Sequence, residues 1–227
     1  KAVVWYYVRA PQQALVQELY ERVLRCARGA AEMTETSFEA ELLDAIWELL
    51  PNQRLEKLLA ESMERVGPPR FSGACFDFAR EIATSFVPGQ KEAFLKAFYQ
   101  GTPVPDELYE QVLNDTLVAR PPVDPEPRGS TDVGDVSWCC PTAQFGVACS
   151  AIGTPGHSWQ NCAQAGMEIG HTGMIVAAKV LAEAGLELLL RPDVLAEAKE
   201  EFRRRTQGKP YACAMPPEHK PPFHQLA

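Results

Sequence analysis

Three glycines inside one apolar run constrain this fold more than any other feature. Gly166, Gly170 and Gly173 fall at near-helical spacing in the stretch from Gln164 to Leu190, among Ile, Val, Ala and Leu. A glycine weakens a helix interior by roughly 1 kcal/mol relative to alanine. Several at this spacing are tolerated where a second backbone must come close. The pattern predicts a long helix, about 164–190, packed tightly against a neighbour. Just before it lies Gly153-Thr-Pro-Gly-His157-Ser-Trp159. Its glycines and proline fix a loop that presents a histidine beside an indole, and Trp159 is expected to wall that histidine with low dielectric.

The rest of the chain mixes both periodicities. Ala2 to Arg9 (AVVWYYVR) is β-branched and aromatic and reads as a strand ended at Pro11. Leu15, Leu19, Val23 and Cys26 then keep helical spacing, with Gly29 as the expected end. Residues 36–50 are ambiguous. Phe38, Ala40 and Leu42 alternate, whereas Leu43, Ile46, Trp47 and Leu50 have helical spacing. A strand is favoured there, because strand–helix–strand makes a compact unit. Helices are expected at about 54–65, stopped by Gly67-Pro68-Pro69, at 73–85 behind Ser72 as N-cap, and at 194–205. From Val87 to Arg128 prolines punctuate the chain, ending in the run Pro121 to Pro127, which reads as an extended surface connector. Thr142 to Cys149 alternates like a buried strand. The fold class expected from these elements is α/β.

Composition excludes some functions. The net charge of −8, from 22 basic and 30 acidic residues, argues against nucleic acid or an anionic membrane as partner. No apolar run reaches the roughly 20 residues that span a bilayer. The seven cysteines have no C-x-x-C spacing, and Cys139-Cys140 are neighbours, poor geometry for a zinc knuckle. Reduced thiols in a cytoplasmic protein is the expectation. P-loop, G-x-G-x-x-G, G-x-S-x-G and H-E-x-x-H patterns are missing.

Few residues are placed to carry chemistry, and each has a plain structural alternative. His157 could ligate a metal through one ring nitrogen, or simply stabilise its turn. Asp132 and Asp135, flanking Gly134, could face a substrate or cap their own backbone as Asx-turns. Ser130 and Thr131 could donate to a substrate oxyanion, with the same alternative. Arg9 could grip a carboxylate in a bidentate fork or just solvate the strand end. His171, among apolar helical residues, reads as a core or interface histidine. His219 and His224 have no assigned role. A hydrolytic zinc site needs three or more protein ligands, and four histidines with one well placed do not supply them.

Three segments nevertheless carry a resemblance: Gly129 to Trp138 (GSTDVGDVSW), Gly153 to Trp159 (GTPGHSW) and Gly170 to Lys179 (GHTGMIVAAK). Together they resemble the C-terminal third of the zinc-dependent amidohydrolases of the aminoacylase/carboxypeptidase type, nearest to the aminobenzoyl-glutamate hydrolase branch. Val4 to Pro11 and Ala27 to Thr34 resemble the second half of that family's inserted lid. The resemblance implies residues 1–50 as part of a β-α-β lid and dimerisation domain, and 51–227 as the C-terminal part of an α/β catalytic domain. It also implies His157 as a metal ligand, Arg9 as the carboxylate grip, and Ser130, Thr131, Asp132 and Asp135 as the pocket border. The cofactor implied is a pair of zinc ions, with manganese as a substitute. The reaction is hydrolysis of the amide of an N-acyl or aminobenzoyl amino acid, glutamate foremost, in a homodimer formed through the lid.

The family's other ligands and its general-base glutamate lie upstream of the lid, and the chain opens on Lys1. The expectation is therefore the C-terminal part of a longer enzyme, inactive alone. Two other readings compete with it: a non-catalytic subunit that pairs with a separate chain, and a small-molecule binding module that works without metal.

Overall fold

The computed structural model describes residues 1–99, 102–118 and 130–219. In chain order the helices are α1 (Gln13–Met33), α2 (Gln53–Val66), α3 (Gly73–Ala83), α4 (Gln90–Tyr99), α5 (Asp106–Glu110), α6 (Val133–Cys139), α7 (Trp159–Ala165), α8 (Glu168–Leu190) and α9 (Pro192–Thr206). The chain divides into two compact units. One comprises Asn52–Pro125 and Ala143–Ala198, the other Lys1–Pro51, Glu126–Thr142 and Lys199–Ala227.

In the first unit, local chemistry sets the helix ends. The Asn52 side chain accepts from Leu55 N at 3.0 Å to start α2. Glu56 in its first turn and Arg65 in its last complement the helix dipole. Gly67, at φ +82, ends it in a conformation that a side chain would strain. Ser72 caps α3 as expected, accepting from Cys75 N. The stripe of Leu55, Leu58, Leu59 and Met63 then turns α2 onto α8, where Leu58, Leu59, Val180, Ala184 and Val194 form a buried cluster. A fully buried leucine contributes roughly 1.5–3 kcal/mol. Arg65 Nε pairs with Glu183 at 2.6 Å beside that cluster.

Two smaller clusters complete this unit. Cys75, Ala79, Leu113, Ala151 and Ile169 form one, and Leu95, Tyr99, Leu108 and Ile152 the other. Gly170 and Gly173 of α8 behave as their spacing implies. A Cβ on Gly173 would sit 2.5 Å from the Ala148 carbonyl oxygen, and one on Gly170 2.6 Å from that of Ala165. Gly166 instead ends α7, so the expected single helix is two, joined at Gly166-Met167.

The second unit is held by an aromatic and polar group. Trp47 and Trp138 lie 4.7 Å apart between ring centroids, and Tyr211 is 6.2 Å from Trp47. Trp138 Nε1 donates to Glu48 O at 2.9 Å, Trp47 Nε1 donates to Ala212 O at 2.9 Å, and Leu50 N donates to Ser137 Oγ at 2.8 Å. Gly134 is obligatory here, because a Cβ would fall 2.0 Å from Trp47 O. Helix α1 buries no residue and runs through Gly29 to Met33, where open space surrounds the glycine.

The α/β expectation is overturned. Among the described residues β pairing is limited to an isolated parallel bridge between Pro51 and Thr142, and the elements are helices. The run expected as the first strand has no ladder, and its side chains stay in water: Val3 is 85% exposed and Trp5 71%. β-propensity expresses fit to a neighbouring strand rather than an intrinsic backbone preference. Without that neighbour, residues 2–9 and 36–50 form no sheet, so the β-α-β lid is not formed. Residues 143–149 are likewise unpaired, but Ala143 and Phe145 pack on the α2–α8 cluster. Asp135, offered as an Asx-turn residue, lies instead in the first turn of α6. Gly129, the proline run 121–127 and His224 lie outside the described residues.

Candidate functional site

The loop carrying His157 is held at both ends. Ala151 and Ile152 are buried, one in each of the two smaller clusters, and Ile152 N donates to Val112 O at 2.8 Å. Gly153 then takes φ +100, and a Cβ there would meet Lys91 Cα at 3.0 Å, so the turn admits only glycine without strain. Gln90 Nε2 donates to Gly153 O at 2.9 Å.

Gln164 closes the loop from below. Its side chain is fully buried; Oε1 accepts from Ala151 N at 2.7 Å and Nε2 donates to Thr154 Oγ1 at 3.0 Å. Thr154 Oγ1 in turn donates to Ala151 O at 2.7 Å. Ser158 caps α7 by accepting from Asn161 N at 3.2 Å, and Asn161 Nδ2 donates to Gly156 O at 2.9 Å. Burial of the Gln164 and Thr154 polar atoms is tolerated because each has a partner.

His157 stands exposed at the crest of this stapled loop. Trp159 is 62% exposed, so the indole gives no low-dielectric wall. Beneath the loop, the Lys91 ammonium donates to Tyr109 O at 2.5 Å and Gln111 O at 2.6 Å, tying the 109–111 segment to α4. Burial pushes the Lys91 pKa down, opposed by the nearby carboxylates of Glu110 and Glu92.

His171, read as a core or interface histidine, is instead exposed on α8 of the first unit, and the other singled-out residues belong to the second. Ser130 is exposed. Thr131 Oγ1 accepts from Val133 N at 3.3 Å and lies 3.3 Å from Asp132 Oδ1, a local turn that opens α6. Asp132 precedes α6 without a side-chain cap. Asp135 is engaged on both oxygens: Oδ1 accepts from Tyr211 Oη at 2.6 Å and Oδ2 from Trp47 N at 3.3 Å. The Tyr211 pKa is raised, chiefly by that hydrogen bond to Asp135 and then by burial. Arg9 is exposed, its guanidinium 5.4 Å from the Tyr7 ring centre in a cation–π contact. Ser130, Thr131, Asp132 and Asp135 thus come together at one end of α6.

Gln164, Thr154, Gln90 and Lys91 were not foreseen. The signal for Gln164 was a polar side chain opening an otherwise apolar stretch. The described residues contain no group of three or more His, Cys, Asp or Glu able to hold a metal ion. Among the described residues, no helix is long and apolar enough to cross a membrane.

The chain is 34% identical over 230 residues to a protein of Escherichia coli (strain K12) named as a subunit of p-aminobenzoyl-glutamate hydrolase. The alignment takes in 95% of this chain and 46% of that protein, so the chain spans about half the length of the curated relative it matches. No family model matches the chain, and no solved structure does.

Proposed function

We propose that this chain forms part of a metal-dependent amidohydrolase that cleaves p-aminobenzoyl-glutamate or a similar N-acyl glutamate. The observation that carries this reading is the 34% identity, sustained over 95% of the chain, to a protein named for that hydrolysis. His157 would hold the metal through one imidazole nitrogen, with the remaining ligands and the general base supplied from outside the described residues. Bound zinc, or manganese in its place, supplies Lewis-acid polarisation of the amide carbonyl and activation of a water. Arg9 would fork onto a substrate carboxylate, and the Ser130 and Thr131 hydroxyls with Asp132 would border the pocket. Asp135, with both oxygens occupied, would fix that border rather than touch substrate. The enzyme would act in the cytoplasm.

The test is His157→Ala in the full-length protein, read by metal content and by release of p-aminobenzoate. Loss of even a supporting residue around a metal ligand costs 10–100-fold. Removal of the ligand itself should therefore lower turnover by more than about 100-fold and deplete the metal. Unchanged metal content and turnover would remove His157 from the site.

A second reading rests on α8. Met174, Leu181 and Leu189 are exposed, at 56%, 57% and 83%, as are Ile175, Leu186 and Leu190 on the adjoining strip. A helix apolar on nearly all sides belongs inside a larger body. The matched relative is named as a subunit. This chain would accordingly bury that face in an assembly, while the exposed run Val3–Tyr7 would form the homodimer contact expected of residues 1–50. Light scattering on Leu181→Lys/Leu189→Lys should show a smaller particle than the parent; an unchanged mass would count against the assembly.

A further inference from the structure

Cys139 is the last residue of α6 and Cys140 its C-cap, and both side chains are exposed. We propose that this adjacent pair is a reversible oxidation site, closed to a vicinal disulfide by a low-molecular-weight disulfide such as oxidised glutathione. In the first exchange the thiolate of one cysteine attacks a sulfur of the reagent, forming a mixed disulfide and releasing one thiol. The second cysteine then attacks the mixed disulfide at the protein sulfur, releasing the second thiol. Two protein thiols are oxidised, one small disulfide is reduced to two thiols, and the protons pass to those thiols.

The geometry makes this bond consequential. Neighbouring Cα atoms across a trans peptide lie about 3.8 Å apart, below the roughly 4.4–6.8 Å that disulfides ordinarily span. The two residues also differ in conformation: Cys139 is helical, whereas Cys140 is extended at φ −153, ψ 160. Closing the ring therefore requires the peptide between them to turn, and that peptide is engaged. Cys140 N donates to Val136 O at 3.0 Å and holds the last turn of α6. The Cys140 sulfur itself is lightly held, 3.6 Å from Val136 O and 3.9 Å from Thr142 Oγ1.

Immediately upstream, Trp138 is fixed to Glu48 O and packs against Trp47 with the ring planes tilted by 51°. Oxidation should thus loosen the end of α6 and shift the paired indoles, which report it. Strained, exposed disulfides are the easily reduced ones, so the change should reverse readily. Competing thiols lack a neighbour in sequence: Cys26, Cys162 and Cys213 are exposed single residues and Cys75 is buried. Cys149 is half-buried, and burial holds its pKa up, away from the reactive thiolate.

The experiment equilibrates reduced full-length protein with graded glutathione mixtures. Tryptophan emission is followed, and the peptide bearing both cysteines is weighed. Expected is a peptide lighter by two hydrogen atoms together with a shifted emission, both restored by dithiothreitol. Cys139→Ser and Cys140→Ser should each abolish the two signals, while a Cys26→Ser/Cys162→Ser/Cys213→Ser protein keeps them. If a single variant departs from the reduced parent in circular dichroism, the triple variant decides alone. Oxidation taken up only as glutathione adducts or interchain links would overturn the proposal. So would an internal bond that forms without an emission change.

Discussion

Around Leu58 the chain is held by area, and around Asp135 by direction. Leu58, Leu59, Val180, Ala184 and Val194 meet through carbon surfaces, with Leu58 at 1% and Val180 at 0% exposure. Trp47, Glu48, Leu50, Trp138 and Tyr211 are instead tied by hydrogen bonds between positions 76 to 165 residues apart. Apolar burial is non-directional and adds up methylene by methylene. A hydrogen bond contributes about 1 kcal/mol net when made, yet a lost partner leaves a buried group unsatisfied at about 1–3 kcal/mol. The first arrangement should therefore resist small shifts, and the second should fail at single atoms.

The largest expected effect falls on the apolar side. Leu58→Ala should cost about 3–4 kcal/mol in urea unfolding, because the site has little room to collapse. A cost below that of the hydrogen-bond variants would reverse the ranking. Gly134→Ala should follow at about 3 kcal/mol, since the new Cβ meets the Trp47 carbonyl rather than a flexible side chain. Near-ultraviolet circular dichroism should collapse in that variant while the helix signal persists; intact indole bands would show that the close approach is not rigid. Asp135→Ala should lose about 2 kcal/mol by stranding Trp47 N–H and the Tyr211 hydroxyl.

The smallest effect is one of pH. The Tyr211 pKa is raised above its usual 10.0 in the folded chain, so the neutral phenol is the form that folding favours. Its contribution is fully present below pH 10 and fades as alkali ionises the folded phenol. The stability lead of the parent over Tyr211→Phe should hold up to pH 10 and narrow above it. A lead constant into stronger alkali would separate the phenol from Asp135.

The same contrast governs what the sequence disclosed. Helices α2, α3 and α9 were legible because their signals are local: Gly67-Pro68-Pro69 stops α2, for instance, and Ser72 caps α3. The close approaches at Gly170 and Gly173 were legible too, since glycine in an apolar helix has few other uses. The strands were misjudged because Val3 to Tyr7 records only a preference, and a ladder depends on a partner that no local window contains. The group around Asp135 was invisible for a related reason. Nothing near Trp47 announces that its amide meets a carboxylate 88 positions later. Of the candidate site, the position of His157 on a Gly/Pro loop could be read; Gln164 showed only as a polar residue opening an apolar stretch, with nothing local to say that it folds back onto Ala151.

Gln164 has a consequence for binding. Fixing a residue's backbone costs roughly 1–2 kcal/mol of conformational entropy, and a floppy histidine loop would lose it whenever a ligand arrived. Here the amide of Ala151 and the hydroxyl of Thr154 already rest on Gln164. That loss occurs when the chain folds, so in the proposed role the imidazole would meet a metal already preorganised. Gln164, which no ligand need touch, would then set affinity at a distance.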